Sequence, residues 1–330
     1  VWPLLREKWA LFALAAASCA LTMYAATVWG AVGGDITFPF PTRAAAACVA
    51  YVVYLGKALW PVHLAAYYPH PGDTLPLWQP IAAVALLVSI SAAVLVSARK
   101  RPYLAVGWAW YLGTLLPVIG FIQIGRHWMA DRYTYVPLIG LLIAGVWAVA
   151  DAFSTRKRSR AALGVVAAVV VAAAAIGASL QVRCWRNSET LWRHALRVTA
   201  NNHLAHSNLG SHLARQGKLE EAASHFAEAV AIEPVFVSGF YNLGLARLLQ
   251  ERHDEAAAAF AETLRLKPDY PNAHASLGIA LFALGRRDEA EACFRRALEV
   301  NPGDTKAREN LDRLLAQEAP TSPGAAASPP

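Results

Sequence analysis

Long apolar runs without a charged side chain alternate with short polar segments from the start of the chain to Val182. A helix needs about 20 apolar residues to cross about 30 Å of hydrocarbon, and only a helix bonds its own backbone there. A shorter run, 44–56, lies between Arg43 and Lys57, and its length favours an interfacial or re-entrant helix. Five longer runs predict membrane spans, namely Trp9–Gly34, Thr74–Ala98, Pro102–Gly125, Tyr133–Ala150 and Ala161–Val182.

The pattern changes after Val182, where apolar positions recur with a period of 34. Glycine and alanine at fixed positions allow two helices to approach closely, a phenylalanine fills the space between them, and a proline ends the second helix. This period and pattern resemble the tetratricopeptide repeat. The recurring positions are Leu209/Leu243/Leu277, Gly210/Gly244/Gly278, Ala222/Ala256/Ala290, Phe226/Phe260/Phe294 and Pro234/Pro268/Pro302.

The two patterns predict an all-α protein, with a polytopic helical membrane domain followed by a tetratricopeptide-repeat α-solenoid. The membrane domain covers 1–182 and the repeat domain 183–319, and we expect the Pro/Ala/Ser tail 320–330 to be disordered. Within the repeat domain we predict a half repeat at 187–202, full repeats at 203–236, 237–270 and 271–304, and a polar capping helix at 304–317.

Charge separates the same two parts of the 330-residue chain: residues 1–182 carry 13 Lys+Arg against 5 Asp+Glu. The basic residues form short clusters between apolar runs. This arrangement indicates how the spans are oriented in the membrane, and it excludes a nucleic-acid partner. Placing the clusters at 6–8, 99–101 and 156–160 inside predicts a protein of the inner (cytoplasmic) membrane with its repeats on the extracytoplasmic, periplasmic side.

The outer loop before the fourth span concentrates charge close to the hydrocarbon. An arginine fork suits phosphate oxygens, so Arg132 and Arg126 are candidates for binding a lipid phosphate. We expect Asp131, Lys57 and His70 to belong to the same site. The alternative is an ion pair of Asp131 with Arg132 or Arg126 that only fixes the loop.

A second candidate patch contains Lys57 and His70. A re-entrant helix could direct Lys57 into a polar cavity, although the side chain could equally extend to the headgroups. His70 could act as an acid, a base or a sugar ligand, although a single interfacial histidine is more often inert.

The first helices of the repeats predict a polypeptide-binding groove, formed by Asn208, Ser211, Tyr241, Asn242 and Leu245. This surface lacks the Lys/Arg set that would hold a terminal carboxylate, and repeat packing alone is the alternative explanation. The four cysteines show no metal-ligand spacing, and no phosphate loop or convincing general base is present. We therefore expect no catalytic residue, metal or cofactor in this part of the protein.

Three membrane segments and the repeats that follow them resemble the C-terminal portion of bacterial relatives of the transmembrane and tetratricopeptide-repeat protein O-mannosyltransferases. Those enzymes belong to the GT-C class of membrane glycosyltransferases. The segments are 51–61, 67–71 and 129–137. The resemblance implies transfer of a sugar from a polyprenyl-phosphate donor to a protein, with the essential carboxylate in an earlier outer loop. We expect the sequence to be a fragment without that loop; the alternative is a non-catalytic, membrane-anchored repeat scaffold.

Overall fold

A computed structural model of the protein describes residues 38–121, 127–153, 157–270 and 272–316, together with Ala17, Leu21 and Tyr24. The predicted first span at 9–34 and the tail at 320–330 lie outside the described residues. The described residues form thirteen α-helices and a two-stranded antiparallel ladder, which confirms the all-α fold class. The chain divides into two compact units, one formed by 1–186 with 197–200 and the other by the remaining residues.

The ranges of the first unit that the structure describes from residue 38 onward form five helices. Three segments are long and apolar enough to cross a membrane, namely Trp78–Ser97, Asp131–Ala152 and Leu163–Trp185. Many of their large apolar side chains are exposed, as lipid contact requires. The helices are α1 (Phe40–Leu59), α2 (Trp78–Ser97), α3 (Pro102–Leu115), α4 (Tyr135–Ala152) and α5 (Lys157–Val182).

Two helices of this unit differ in length from the apolar runs that predict them. α1 has 20 residues, because it continues through Arg43 and Lys57 beyond the charge-free run. α3 ends at Leu115 after 14 residues, and turns follow it, so the run 102–125 is not one continuous helix. Pro117 has no N–H to continue the helical hydrogen bonds, and Gly120 adopts a positive φ of 103°.

The interior of the first unit is held by buried tyrosines and by a close glycine contact. The Tyr51 hydroxyl donates to the Leu112 carbonyl at 2.8 Å, and the Tyr111 hydroxyl donates to the Tyr51 carbonyl at 2.6 Å, which ties α1 to α3. α3 and α4 cross at Gly107 and Gly140, where a Cβ on Gly107 would lie 2.3 Å from the Gly140 carbonyl oxygen. Only glycine permits this crossing.

The second unit stacks antiparallel helix pairs, each with the same internal contact. A Cβ on Gly210, Gly244 or Gly278 would lie 2.9, 2.6 or 2.7 Å from the ring of the phenylalanine sixteen positions later. Each ring therefore fits against a bare backbone. The helices are α6 (Ser188–Val198), α7 (His203–Arg215), α8 (Leu219–Ile232), α9 (Val237–Leu249), α10 (His253–Leu266), α11 (Ala273–Ala283), α12 (Arg287–Val300) and α13 (Thr305–Ala316).

The first and last helices of this unit cover the ends of the stack. On α6, Trp192 and Leu196 pack against the cluster around Leu209. On α13, Ala307 and Leu314 are buried, and most of the exposed positions carry polar side chains. The Asp304 side chain caps this helix by accepting from the Ala307 N–H at 3.0 Å.

Candidate functional site

Residues from the end of α1 and from the loops of the first unit meet in a polar cluster made of Lys57, Ala65, Tyr68 and Asp131. The ladder that brings them together pairs β1 (Tyr68–Pro69) with β2 (His127–Met129), placing Tyr68 opposite Met129. Asp131 follows directly, in a short 3-10 turn that leads into α4. Lys57 reaches the cluster from the last turn of α1.

Asp131 is the acceptor at the centre of the polar cluster. Its Oδ1 atom lies 3.1 Å from the Lys57 ammonium, and its Oδ2 atom accepts from the Tyr68 hydroxyl at 2.8 Å. The Ala65 N–H donates to two oxygens, Asp131 Oδ2 at 2.9 Å and the Tyr68 hydroxyl oxygen at 2.7 Å. The sequence suggested an arginine partner for Asp131, whereas the described partner is Lys57, 74 residues earlier.

Lys57 has protein acceptors for all three of its N–H groups. Besides Asp131 it donates to the Tyr68 hydroxyl and, at 3.4 Å, to the His63 carbonyl. The side chains of Lys57 and Asp131 are 15% and 24% exposed, so most of the pair is withdrawn from water. Burial lowers the pKa of the Lys57 ammonium, and the Asp131 charge opposes this effect. Burial, and then the charge of Asp131, raise the pKa of the Tyr68 phenol.

The remaining candidates lie around the polar cluster. Arg132 is exposed, its guanidinium carbon lies 5.1 Å from the centre of the Tyr133 ring, and it makes no ion pair with a described residue. The His70 ring stacks on Phe38 at 4.1 Å, and its Nδ1 atom accepts from the Gly72 N–H at 2.9 Å. Arg126 lies outside the described residues. The structure thus joins Lys57 to Asp131 and leaves Arg132 open to a ligand.

Sequence reasoning missed Tyr68 and Tyr54 as residues that shape this loop. The Tyr54 side chain is 1% exposed, and its hydroxyl accepts from the Ala130 N–H at 2.9 Å and donates to the Ala130 carbonyl at 3.1 Å. These bonds fix the backbone immediately before Asp131. An aromatic-rich segment was visible in the sequence, but nothing in it indicated the distant backbone that the hydroxyls contact.

An apolar cavity of about 980 Å³ lies among α1, α2, α4 and α5. All of its lining residues are aliphatic or glycine, and they include Gly56 and Ala58, the neighbours of Lys57 in the chain. Leu138, in the first turn of α4 after Arg132, also lines it. Volumes of roughly 300–1,000 Å³ are typical of ligand sites. The cavity can accept an apolar chain beside the polar loop.

The predicted groove residues of the repeats lie on α7 and α9, and α9 contacts both α7 and α11. Asn208 is exposed and donates to the Leu204 carbonyl at 2.8 Å, while the Ser211 hydroxyl donates to the Ser207 carbonyl at 2.9 Å. Asn242 is half-buried. The Tyr241 ring lies 5.1 Å from the Tyr270 ring.

The first-helix surface of the repeats changes from polar to apolar along the stack. Leu245 has the register of Ser211 in the first repeat and of Ile279 in the third, and Ile279 is 37% exposed. Leu249, one turn after Leu245, is 66% exposed. Neither Ile279 nor Leu249 was a predicted groove residue. The repeat register does indicate Ile279, because it lies 34 positions after the predicted Leu245. Such a surface can hold a chain through both hydrogen bonds and apolar contacts.

Within the described ranges, no group of three or more His, Cys, Asp or Glu side chains could hold a metal ion. The side chains that the structure brings together in the loop are therefore ion-pair and hydrogen-bonding groups. Their arrangement fixes a loop and presents one exposed arginine.

Comparison with known proteins supports the repeat assignment. Two profiles described as tetratricopeptide repeat match the chain, one at residues 247–318 and the other at 180–235 and 209–271. The protein O-mannosyl-transferase Tmtc2 of Drosophila melanogaster is 30% identical over 128 residues, which are 39% of this chain and 13% of the relative. The chain thus matches only a small part of that protein.

Solved structures of repeat proteins are also similar to part of the chain. The second TPR domain of human RPAP3, in complex with an HSP70 peptide, is 24% identical, with a TM-score of 0.34 over 34% of this chain and 95% of that one. The Arabidopsis OM64 TPR domain is 21% identical, with a TM-score of 0.34 over 35% and 95%. YrrB, a TPR protein, is 24% identical, with a TM-score of 0.37 over 40% and 68%. The chain contains tetratricopeptide repeats joined to apolar helices of membrane-spanning length.

Proposed function

We propose that this chain is part of an integral-membrane glycosyltransferase that takes a sugar from a polyprenyl phosphate and gives it to a protein. The repeats would hold the acceptor or another partner polypeptide on the extracytoplasmic side. One observation carries the proposal: an apolar cavity lies among the membrane helices, and the exposed Arg132 precedes one of the helices that line it.

The chemistry of a polyprenyl phosphate fits the two features together. Its isoprenoid chain is apolar and would occupy the aliphatic cavity, while its phosphate stays at headgroup depth. An exposed arginine at the start of α4 would meet phosphate oxygens with a planar pair of donors. In this proposal Lys57 and Asp131 hold the loop through their mutual ion pair, and His70 borders it.

The similarity to a protein named O-mannosyl-transferase supports sugar transfer as the reaction class. The polypeptide-binding role is supported by the tetratricopeptide repeats and by their mixed polar and apolar first-helix surface. The groove assigned to the acceptor or partner contains Asn208, Ser211, Tyr241, Asn242 and Leu245.

Photolabelling with a photoreactive polyprenyl-phosphate sugar, on the chain in lipid nanodiscs, tests the proposal. Arg132→Ala should reduce labelling severalfold, because the phosphate loses a charged, bidentate donor. Gly145→Leu should abolish labelling in the cavity, because Gly145 lines it and a Cβ atom there would meet no protein atom within 4 Å.

Gly177→Leu is the matched control, because Gly177 is an exposed helical glycine that does not line the cavity. It should label like the unmodified protein. Labelling that is equal in all four proteins would refute lipid-carrier binding at this site.

A membrane-anchored repeat scaffold without chemistry is the second candidate function. The observation that favours it is that both Asp131 oxygens already accept bonds from the protein, as a purely structural carboxylate would. A scaffold would retain a polypeptide on its repeats and show no labelling by the lipid probe above the Gly145→Leu level.

The side of the membrane can be tested with a thiol reagent that does not cross bilayers. Lys306→Cys places a thiol at an exposed position of α13. We expect it to react in intact cells, above the background of the unmodified protein. Reaction only after lysis would place the repeats in the cytoplasm.

A further inference from the structure

Three exposed arginines of the first unit, Arg183, Arg186 and Arg197, make no ion pair with any residue that the structure describes. Arg183 and Arg186 directly follow α5, and Arg197 lies in the last turn of α6. The nearest carboxylate along the chain, Glu189, already lies 2.9 Å from the Arg193 guanidinium. The described part of the protein therefore leaves the charge of these three arginines uncompensated.

We propose that these arginines bind the headgroups of anionic phospholipids, on a surface made of Arg183, Trp185, Arg186 and Arg197 that we call the arginine surface. A guanidinium donates two parallel N–H bonds to phosphate oxygens. A surface with net positive charge favours a lipid with net negative charge over a zwitterionic lipid, which brings its own cation. The surface concerns lipids of the bilayer itself and is separate from the carrier site proposed at Arg132.

The local backbone brings Arg183 and Arg186 to the same side of the chain. A 3-10 turn covers Arg183–Trp185, and the Arg186 N–H donates to the Arg183 carbonyl at 3.4 Å. Side chains three residues apart eclipse one another in a 3-10 helix. Two like charges on one side repel each other, and an anion that binds both removes this cost. A lipid phosphate is such an anion.

Two contacts place the arginine surface at the level of the loops of the first unit. The Gln181 side chain, at the end of α5, donates to the Leu64 carbonyl at 3.3 Å. Val198, the neighbour of Arg197, packs against the apolar cluster that contains Tyr68. The arginines therefore lie beside the polar loop, where the apolar part of α5 ends.

The end of α5 is open to lipid. The most apolar stretch of the candidate span Leu163–Trp185 has no buried residue, and the Trp185 side chain is 57% exposed. Tryptophan is enriched at the membrane–water interface, where its ring lies at headgroup level. The arginines on either side of Trp185 are thus held at the depth of lipid phosphates.

The orientation of the span does not require these arginines. Lys157, Arg158 and Arg160 lie at the other end of α5, so basic residues occur at both ends. Basic residues near the end of a span favour the cytoplasmic side, and a span places only one of its ends there. Whichever end of α5 is cytoplasmic, the other carries basic residues that have a different role.

Native mass spectrometry of the full chain tests the arginine surface, with equal amounts of phosphatidylglycerol and phosphatidylcholine added to the delipidated protein in detergent. We expect the unmodified protein to retain phosphatidylglycerol in preference. Arg183→Gln and Arg186→Gln should each lower the ratio of retained phosphatidylglycerol to phosphatidylcholine about fivefold, the effect of one basic side chain near an anionic leaflet. Arg197→Gln should change the ratio in the same direction.

Two control variants separate charge at this surface from charge in general. Arg183→Lys combined with Arg186→Lys keeps both charges and should retain most of the preference. Arg215→Gln removes an exposed arginine of α7 that makes no ion pair with a described residue, and should leave the ratio unchanged. Equal retention of the two lipids by the unmodified protein, or a loss in Arg215→Gln as large as in Arg186→Gln, would overturn the proposal.

Circular dichroism should show unchanged helicity in every glutamine variant, because each substituted side chain is exposed. If one of the three variants at the arginine surface unfolds, the other two decide. Glycerol phosphate at the same concentration should not displace phosphatidylglycerol. Displacement would identify a site for a soluble anion and would contradict a lipid-binding surface.

Photolabelling by the polyprenyl-phosphate sugar separates this inference from the proposed function. The glutamine variants should label like the unmodified protein, and Gly145→Leu should keep the preference for phosphatidylglycerol. Loss of labelling in Arg183→Gln or Arg186→Gln would assign these residues to the carrier site, and a separate surface would then be wrong. Loss of labelling in Arg132→Ala alone would leave the arginine surface intact.

Discussion

Different forces stabilise the interior of each of the two units. One unit carries the features of a lipid-facing domain and the other those of a water-facing domain. In the repeat unit, phenylalanine rings pack against bare glycine backbone, and burial of apolar surface supplies the driving force. In the first unit, tyrosine hydroxyls, the Lys57–Asp131 ion pair and a glycine crossing make specific contacts. Lipid is as apolar as a leucine side chain, so burial alone does not select one helix arrangement there.

The largest effect is expected in the repeat unit, from removing a packed ring. Phe260 is 0% exposed and lies against Gly244. Phe260→Ala should lower the free energy of unfolding by about 4 kcal/mol through lost burial and a residual cavity. Hydrogen exchange should show faster exchange of the α9 and α10 amides. Leu249→Ala, at an exposed position of α9, should change the free energy by less than about 0.5 kcal/mol. If Phe260→Ala and Leu249→Ala lowered the free energy of unfolding equally, ring packing would not dominate the stability of the repeat unit.

A smaller but still large effect is expected from breaking the ion pair of the first unit. Asp131→Ala leaves the mostly buried Lys57 ammonium without its carboxylate, which should cost about 3 kcal/mol. Thermal unfolding in detergent would measure the loss. Arg101→Ala breaks the exposed Arg101–Asp151 pair, whose side chains are 52% and 47% exposed, and should cost less than about 1 kcal/mol. If Lys57→Met combined with Asp131→Leu is no more stable than Asp131→Ala alone, the uncompensated charge is not the cause.

The smallest effect is expected from deleting one buried hydroxyl. Tyr54→Phe removes both bonds to Ala130 and should cost about 1 kcal/mol, the upper range for polar contacts within membranes. Tyr135→Phe removes a hydroxyl from a side chain that is 74% exposed, and should leave stability unchanged. Thermal unfolding in detergent measures the stability of both variants. If Tyr54→Phe lost no more stability than Tyr135→Phe, the buried hydroxyl bonds would not contribute to the stability of the first unit.

The repeats were predictable because their contacts are local in sequence. Gly244 meets Phe260 sixteen positions later, and the same pair recurs in the next repeat as Gly278 and Phe294, so the period carries the packing. The ends of α1 and α3 were not predictable from charge-free runs, because α1 tolerates Lys57 by pairing it and α3 ends shortly before Pro117.

The sequence by itself determined the helical class, the apolar segments and the repeat period, because hydrophobic periodicity and chain length are properties of single segments. It also drew attention to Lys57, Asp131 and Arg132. Only the tertiary structure decided that Lys57 is the partner of Asp131 and that Arg132 is exposed. The ion pair joins residues 74 positions apart, and its choice depends on desolvation and geometry that exist only once α1, the ladder and the start of α4 are packed together.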